Sequence, residues 1–277
     1  MFRETAALTA RALRKWVRSP ANVLPGLATA VFYLALFGSS FNPANLIPSG
    51  AGQAASSLVQ QAFGGAPTYI TYLTPAVICI ILVFNMAFGG IDLVLDRQLG
   101  FLNSILTSPI PRSAIYLSGV AQNLVKVLLL AVLTFAVALF IPDGLKLPAA
   151  FGVVDFAALF AVFVLLGLGL SFVFTALALS VRSIDSLVAI VNFLTLPIMF
   201  MSNAFFPSSS FPTWLRGIAD VNPVTKANEA ARLLLVNGSL TSSQLSTYGW
   251  DMAYLLAFAV VLGAVGYLAA RRALRPE

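Results

Sequence analysis

The sequence predicts an all-α integral membrane protein with six transmembrane helices, and three observations point there. Lys and Arg number only 16 and Asp and Glu only 10 in 277 residues. They fall in clusters that leave residues 19–91, 156–181, 186–215 and 252–270 without a charge, and residues 113–142 with Lys126 alone. A hydrocarbon core about 30 Å thick needs roughly 20 apolar residues as helix, because only a helix or a closed barrel satisfies its own backbone in lipid. Composition agrees: 59% of residues are hydrophobic and 9% charged, with mean hydropathy +0.92, where a soluble domain carries about a quarter charged residues.

Each element follows in chain order. Over residues 1–20, Phe2, Leu13, Trp16 and Val17 gather on one side of a helical wheel and Arg11, Arg14, Lys15 and Arg18 on the other. That is the pattern of an interfacial amphipathic helix, and it lacks the apolar core and small-residue cleavage site of a removable signal peptide. The long uncharged stretch that follows divides at a polar segment rich in Gly, Ser, Pro and Asn, residues 38–67, into spans at 22–37 and 69–91. Later spans are expected at 115–141, 156–181, 187–206 and 252–270. Cys79 is the single cysteine, so no intrachain disulfide contributes.

Between the second and third spans the chain reads IDLVLDRQLGFLNSILTSPIPR, residues 91–112. Asp96 and Arg97 mark the exit from lipid, Gly100 allows a bend, and Phe101, Leu102, Ile105 and Leu106 repeat as a short amphipathic helix that Pro109 and Pro111 end before Arg112. After the fifth span, Phe211, Trp214, Leu215 and Ile218 recur at helical spacing. Asn222 and Pro223 interrupt, and Ala230, Ala231, Leu233 and Leu234 resume with Glu229 and Arg232 on the polar side.

Orientation follows from basic residues beside the spans. With the N-terminus inside, eleven Lys and Arg flank the inner ends, including Arg11, Arg97, Arg112, Arg182 and Arg271, and four, Lys146, Arg216, Lys226 and Arg232, lie outside. Both termini are therefore expected in the cytoplasm. The excess of bases flanks spans without forming one patch interleaved with aromatics, so anionic lipid headgroups are the expected partner and nucleic acid is not. The absence of histidine removes Ser-His catalysis and His-ligated metals, and no G-x-x-x-x-G-K-[ST] string supplies a phosphate-binding loop. Neither an internal repeat nor a midspan Asp or Glu suggests an ion-coupled carrier.

Lys126 is the one charge inside an expected span, about 16 Å from its start by helix rise. It faces either a hydrated cavity with an anionic partner or, if the span shifts, the headgroups by snorkelling. Asn85 and Asn192 can hydrogen-bond between helices, and Phe84, Phe88, Phe193, Phe200, Phe205 and Phe206 are numerous enough to line an apolar path.

Three places resemble the membrane permeases of ABC-2-type transporters, bacterial or archaeal exporters of drugs, lipids and polysaccharide conjugates. They are the basic N-terminal helix running into a Pro-containing first span (residues 13–37), the segment DRQLGFLNSILTSPIPR, and FFPSSSFPTWLRGIADVNPVTKANEAARLLL (residues 205–235) with its Pro, Trp, Asn-Pro and Arg landmarks. The likeness covers essentially the whole chain, as one permease domain over residues 1–277; it departs at Gln98 and Asn103, where the family often carries acidic residues. The resemblance implies an ATP-driven exporter in the cell membrane for a hydrophobic, amphipathic or lipid-linked cargo. This chain would be a transport subunit and no enzyme, with no cofactor or metal of its own, paired with a second permease and two soluble ATPase subunits that hold ATP and Mg. It makes residues 92–112 a cytoplasmic coupling segment (Asp96, Arg97, Gln98, Gly100, Leu102, Pro109, Arg112), assisted by the N-terminal helix (Arg11, Arg14, Lys15, Trp16, Arg18). Phe84, Asn85, Lys126, Asn192 and Phe205 become candidates for the translocation path, and Trp214, Asn222, Pro223 and Arg232 parts of a re-entrant external lid at residues 207–236. The alternative from another class is an ATP-independent channel or assembly scaffold.

Overall fold

The computed structural model describes residues 2–18, 20–40, 63–100, 111–141, 144–238 and 240–273. These are almost wholly helical: α1 (Phe2–Val17), α2 (Pro20–Ser40), α3 (Tyr69–Phe88), α4 (Ile91–Gln98), α5 (Arg112–Phe140), α6 (Val153–Ser180), α7 (Ile184–Phe200), α8 (Thr213–Asp220), α9 (Pro223–Asn237) and α10 (Ser242–Ala273). A 3-10 turn at Ser208–Ser210 precedes α8. Local chemistry sets several of the ends. Thr68 caps α3 by accepting from the Thr71 N–H, and Ser183 caps α7 by accepting from the Ser186 N–H. Asn222 caps α9 with Pro223 in its first turn, and Gly238 stops that helix at φ +67°, packed so closely on Pro148 that a Cβ would come within 2.5 Å of it.

Among the described residues, four stretches are long and apolar enough to cross a membrane, Tyr69–Gln98, Ser113–Phe140, Val153–Ser180 and Ser242–Ala273. They fall where the second, third, fourth and sixth spans are expected. At the first and fifth expected spans stand shorter apolar helices, Leu24–Leu36 and Ile184–Phe200. The fifth stops at Phe200, short of the expected 206, because residues 201–206 leave helical geometry to bind the α9 region.

Helix α3 is the hub. Nearly all of it is buried, from Tyr69 to Ala87, and it packs on α2, α5, α6 and α9. The most extensive helix pair is α6 with α10, where Gly169 lies against Phe258 and Ala259, and Gly266 against the Phe172 backbone. A Cβ on Gly266 would sit 2.6 Å from the Phe172 carbonyl oxygen, so a small residue is required for this approach. The outer face of α10 exposes Val260, Val261, Val265 and Leu268, and α2 exposes Leu24, Val31, Phe32 and Leu36. An apolar exterior of this kind is what lipid solvates.

The second span does not run unbroken to Ile91. It breaks at Gly89 and Gly90, where added Cβ atoms would come within 2.6 Å of the Asn123 side chain and 2.5 Å of Ala178. Two adjacent glycines let the chain approach both α5 and α6 closely between α3 and α4.

Candidate functional site

The junction of α3 and α4 borders a charged cavity. Helix α4 begins at once after the glycines, so Asp92 in its first turn is set beside α5, whose Asn123 and Lys126 lie one turn apart on a common face. Helix α1 packs along α5 and α2 and contributes Trp16, its buried aromatic, while α2 contributes Pro25, Thr29 and Tyr33. Together with the end of α3 these elements enclose about 590 Å³.

Its polar end holds the Asp92 carboxylate and the Lys126 ammonium, and Lys15, outside the lining, reaches the same carboxylate. Lys126 Nζ lies 3.2 Å from Asp92 Oδ2 and Lys15 Nζ 3.6 Å from Asp92 Oδ1. Side-chain exposures are 10% for Lys126, 45% for Asp92 and 62% for Lys15. The embedded lysine therefore has a carboxylate partner, as an ammonium withdrawn from water requires. Asn85 also lines the cavity and donates through Nδ2 to the Ile81 carbonyl at 2.9 Å, a bond within its own helix. Phe84 and Phe88 stack with centroids 6.3 Å apart and form the apolar wall. Asn123 is 1% exposed, and among the described residues neither its Oδ1 nor its Nδ2 has a hydrogen-bond partner.

Of the path residues expected from sequence, Phe84, Asn85 and Lys126 thus share one cavity. Phe205 stands outside its lining but meets Tyr33, with centroids 6.3 Å apart. Asn192 is half-buried on α7 and does not line it. Among the N-terminal residues, Arg11, Arg14, Lys15 and Arg18 are exposed, and Trp16 is buried in the core.

The segment after α3 is described as far as Gly100. Arg97 Nη1 donates to the Val181 carbonyl at 3.1 Å and Gln98 Nε2 to the Arg182 carbonyl at 3.4 Å, which fastens α4 to the link between α6 and α7. Asp96 is half-buried on α4. Gly100 takes φ +75° with open space around it, a left-handed stop to this helix. Leu102 and Pro109 lie outside the described residues, and Arg112 opens α5.

A second polar cluster joins α9 to the irregular chain after α7. Arg232 donates from Nε to the Tyr72 carbonyl at 3.1 Å and from one Nη2 to the carbonyls of Asn203 and Ala204, both at 3.0 Å. Its guanidinium carbon lies 3.7 Å from the Tyr72 ring centroid. Asn203 donates to Glu229 at 3.2 Å, Lys226 pairs with Glu229 at 3.1 Å and Asp251 at 3.5 Å, and Asn222 donates to the carbonyls of Ile198 and Met201. Burial works against the Lys226 ammonium, but the Glu229 and Asp251 carboxylates outweigh it and raise its pKa above the ordinary lysine value. The polar side of α9 therefore turns inward, where sequence pattern suggested an ordinary amphipathic face. Trp214 is exposed on α8.

Asp92 is the charged residue of this cavity that sequence reading did not single out. It lies 34 positions from Lys126 and only the fold brings the two together; its one sequence signal is that it is the first charge after a 73-residue uncharged stretch, residues 19–91. Among the described residues no cluster of His, Cys, Asp and Glu is placed to hold a metal ion.

The ABC-2 type transporter family model matches residues 3–236. The chain is 28% identical to the ycf38 transport permease of Porphyra purpurea over 275 residues, covering 95% of this chain and 87% of that one. It is 27% identical to the corresponding ycf38 protein of Cyanophora paradoxa, covering 99% and 90% of the two chains. With the daunorubicin resistance ABC transporter permease protein DrrB1 of Streptomyces coeruleorubidus it shares 26% identity over 73% of this chain and 69% of that one. The chain belongs to the ABC-2 type transporter family, and it is a membrane-embedded permease component.

Proposed function

We propose that this chain is the membrane subunit of an ATP-driven exporter that moves a hydrophobic or amphipathic compound, or a lipid-linked molecule, out of the cytoplasm or inner leaflet. Family membership over residues 3–236 is the observation that carries this reading. ATP and Mg are bound and hydrolysed by a separate ATPase, two copies of which dock beneath two permease chains, identical or related. In this arrangement α2 and α7 serve as the first and fifth of six spans, and the eleven inner Lys and Arg hold both termini in the cytoplasm of the cell membrane. The drug-resistance relative, DrrB1, supports a small-molecule cargo.

Mechanically, the ATPase pushes on residues 92–112 and on α1. Asp96 and its neighbours through Leu102, Pro109 and Arg112 form the contact surface. The Arg97 bond to Val181 passes displacement of α4 to the junction of α6 and α7, and the Lys15, Asp92 and Lys126 pairs link α1, α4 and α5. Phe84, Asn85 and Lys126 lie on the path, with Asn192 and Phe205 nearer its outer part. The helices α8 and α9, with Trp214, Asn222, Pro223 and Arg232, form a re-entrant outer lid that the Arg232 cluster holds rigid against α3.

Expression with the genomic neighbours, purification in mild detergent and identification of what co-purifies tests the assembly. A soluble ATPase in equal copy number, with two permeases per particle, is the expected result. A lone permease would turn the reading to a channel or scaffold.

A further inference from the structure

The cavity between α1, α2, α3 and α5 is more specific than a hydrophobic passage. Its polar end carries the Asp92–Lys126 pair, with the Lys126 side chain only 10% exposed, and Lys15, which does not line the cavity, reaches the same carboxylate from the exposed side, so the three-residue cluster has a net charge of one positive. Beside them Asn123 lines the cavity, 1% exposed, with an amide donor and an amide acceptor that no atom of the described residues satisfies. A buried amide without partners is costly and native folds rarely keep one, so the site is short of an acceptor for Nδ2. Gly89 is part of this arrangement, since any Cβ there would fall 2.6 Å from Asn123 Oδ1. From this end the lining passes to Phe84, Ile81, Ile80 and Tyr33, which are apolar or aromatic. A volume near 590 Å³ far exceeds one small anion and falls within the usual range for a small-molecule site, roughly 300–1,000 Å³.

We propose that this cavity binds an amphiphile bearing a phosphate or similar anionic headgroup, taken from the cytoplasmic leaflet. Lys126 and Lys15 supply positive charge, Asn123 Nδ2 donates to a headgroup oxygen, and the chain of the ligand runs along Phe84 and Tyr33. Asp92 holds the two ammonium groups in place and limits the net attraction, so that the headgroup can also leave. That the ligand is cargo rests on the exporter reading above; that the cavity binds it does not.

The test uses the full chain in nanodiscs of phosphatidylcholine, without ATP or any ATPase, so its outcome is independent of the partner experiment. Trp214→Phe and Trp250→Phe leave Trp16, which lines the cavity, as the single tryptophan reporter. Dioctanoyl phosphatidic acid is expected to change Trp16 emission saturably, and dioctanoylglycerol and inorganic phosphate to bind at least about tenfold more weakly. Lys126→Met and the near-isosteric Asn123→Asp should each weaken phosphatidic acid by about tenfold or more, while Lys126→Arg retains binding. Equal binding of dioctanoylglycerol overturns the anionic requirement, and equal binding of inorganic phosphate overturns the amphiphile. Unchanged affinity in monodisperse Asn123→Asp and Lys126→Met protein overturns the site itself.

Discussion

Replacing Asp92 by asparagine removes the carboxylate that holds the Lys126 ammonium at 3.2 Å. The cost is bounded from two sides. Breaking a fully buried ion pair costs about 3–5 kcal/mol, because the remaining charge is stranded. An exposed pair contributes about 0–1 kcal/mol. Lys126 is close to the first limit at 10% side-chain exposure and Asp92 nearer the second at 45%, so about 2 kcal/mol is expected for Asp92→Asn. Lys15, 62% exposed and 3.6 Å away, follows the exposed limit, and Lys15→Ala should cost about 0.5 kcal/mol or less. The assay is reversible unfolding in mixed detergent and SDS micelles for Asp92→Asn, Lys126→Met and the double variant. The double variant should be less destabilised than the sum of the singles by about 1–2 kcal/mol. Additivity within about 0.3 kcal/mol would show that the two residues do not depend on each other and refute the reasoning.

Other consequences are equally open to measurement. Arg232→Lys loses a planar fork that reaches the carbonyls of Tyr72, Asn203 and Ala204, and should cost about 1.5–3 kcal/mol in the same unfolding assay. Gly90→Val forces atoms into the space of Ala178, where even a Cβ would lie 2.5 Å away, and should cost about 1–3 kcal/mol and lower the yield of monodisperse protein. Gly100→Ala meets open space but a φ of +75°, so backbone strain alone, about 1–2 kcal/mol, should loosen the end of α4 and show as faster hydrogen exchange there. Arg97→Ala removes the bond to Val181, and in a complex with the proposed ATPase the exporter reading expects ATP hydrolysis to continue while export falls several-fold; equal export per ATP would remove α4 from the proposed coupling route.

Hydropathy located the second, third, fourth and sixth spans because apolar runs of this length have no other stable solution in lipid, but the charges that bound those runs do not set the helix ends: Asp155 lies inside α6 and Asp251 inside α10. The alternation of bases and apolar residues in α1 was equally legible, and Trp16 is buried while Arg11, Arg14, Lys15 and Arg18 are exposed. Contacts between distant segments were not. Nothing local pairs Asp92 with Lys126, and the need for glycine at 89 and 90 comes from Asn123 and Ala178 on other helices. In the same way, Glu229 and Arg232 read only as the polar side of a short amphipathic helix until residues 201–206 unwind and present their backbone to Arg232. The fifth span ends early for that reason: carbonyls freed by the unwinding are taken up by Asn222 and Arg232.

The central claim is that transport by this chain is driven by a separate ATPase, and flux in inside-out membrane vesicles tests it most directly. Vesicles holding the chain and its co-expressed ATPase would be given a panel of fluorescent amphiphiles with and without ATP, beside vesicles whose ATPase carries a substituted phosphate-loop lysine. The account predicts uptake of at least one amphiphile that requires ATP and disappears with the disabled ATPase. Uptake that persists without ATP, or in vesicles containing the permease alone, would contradict it and identify an ATP-independent channel.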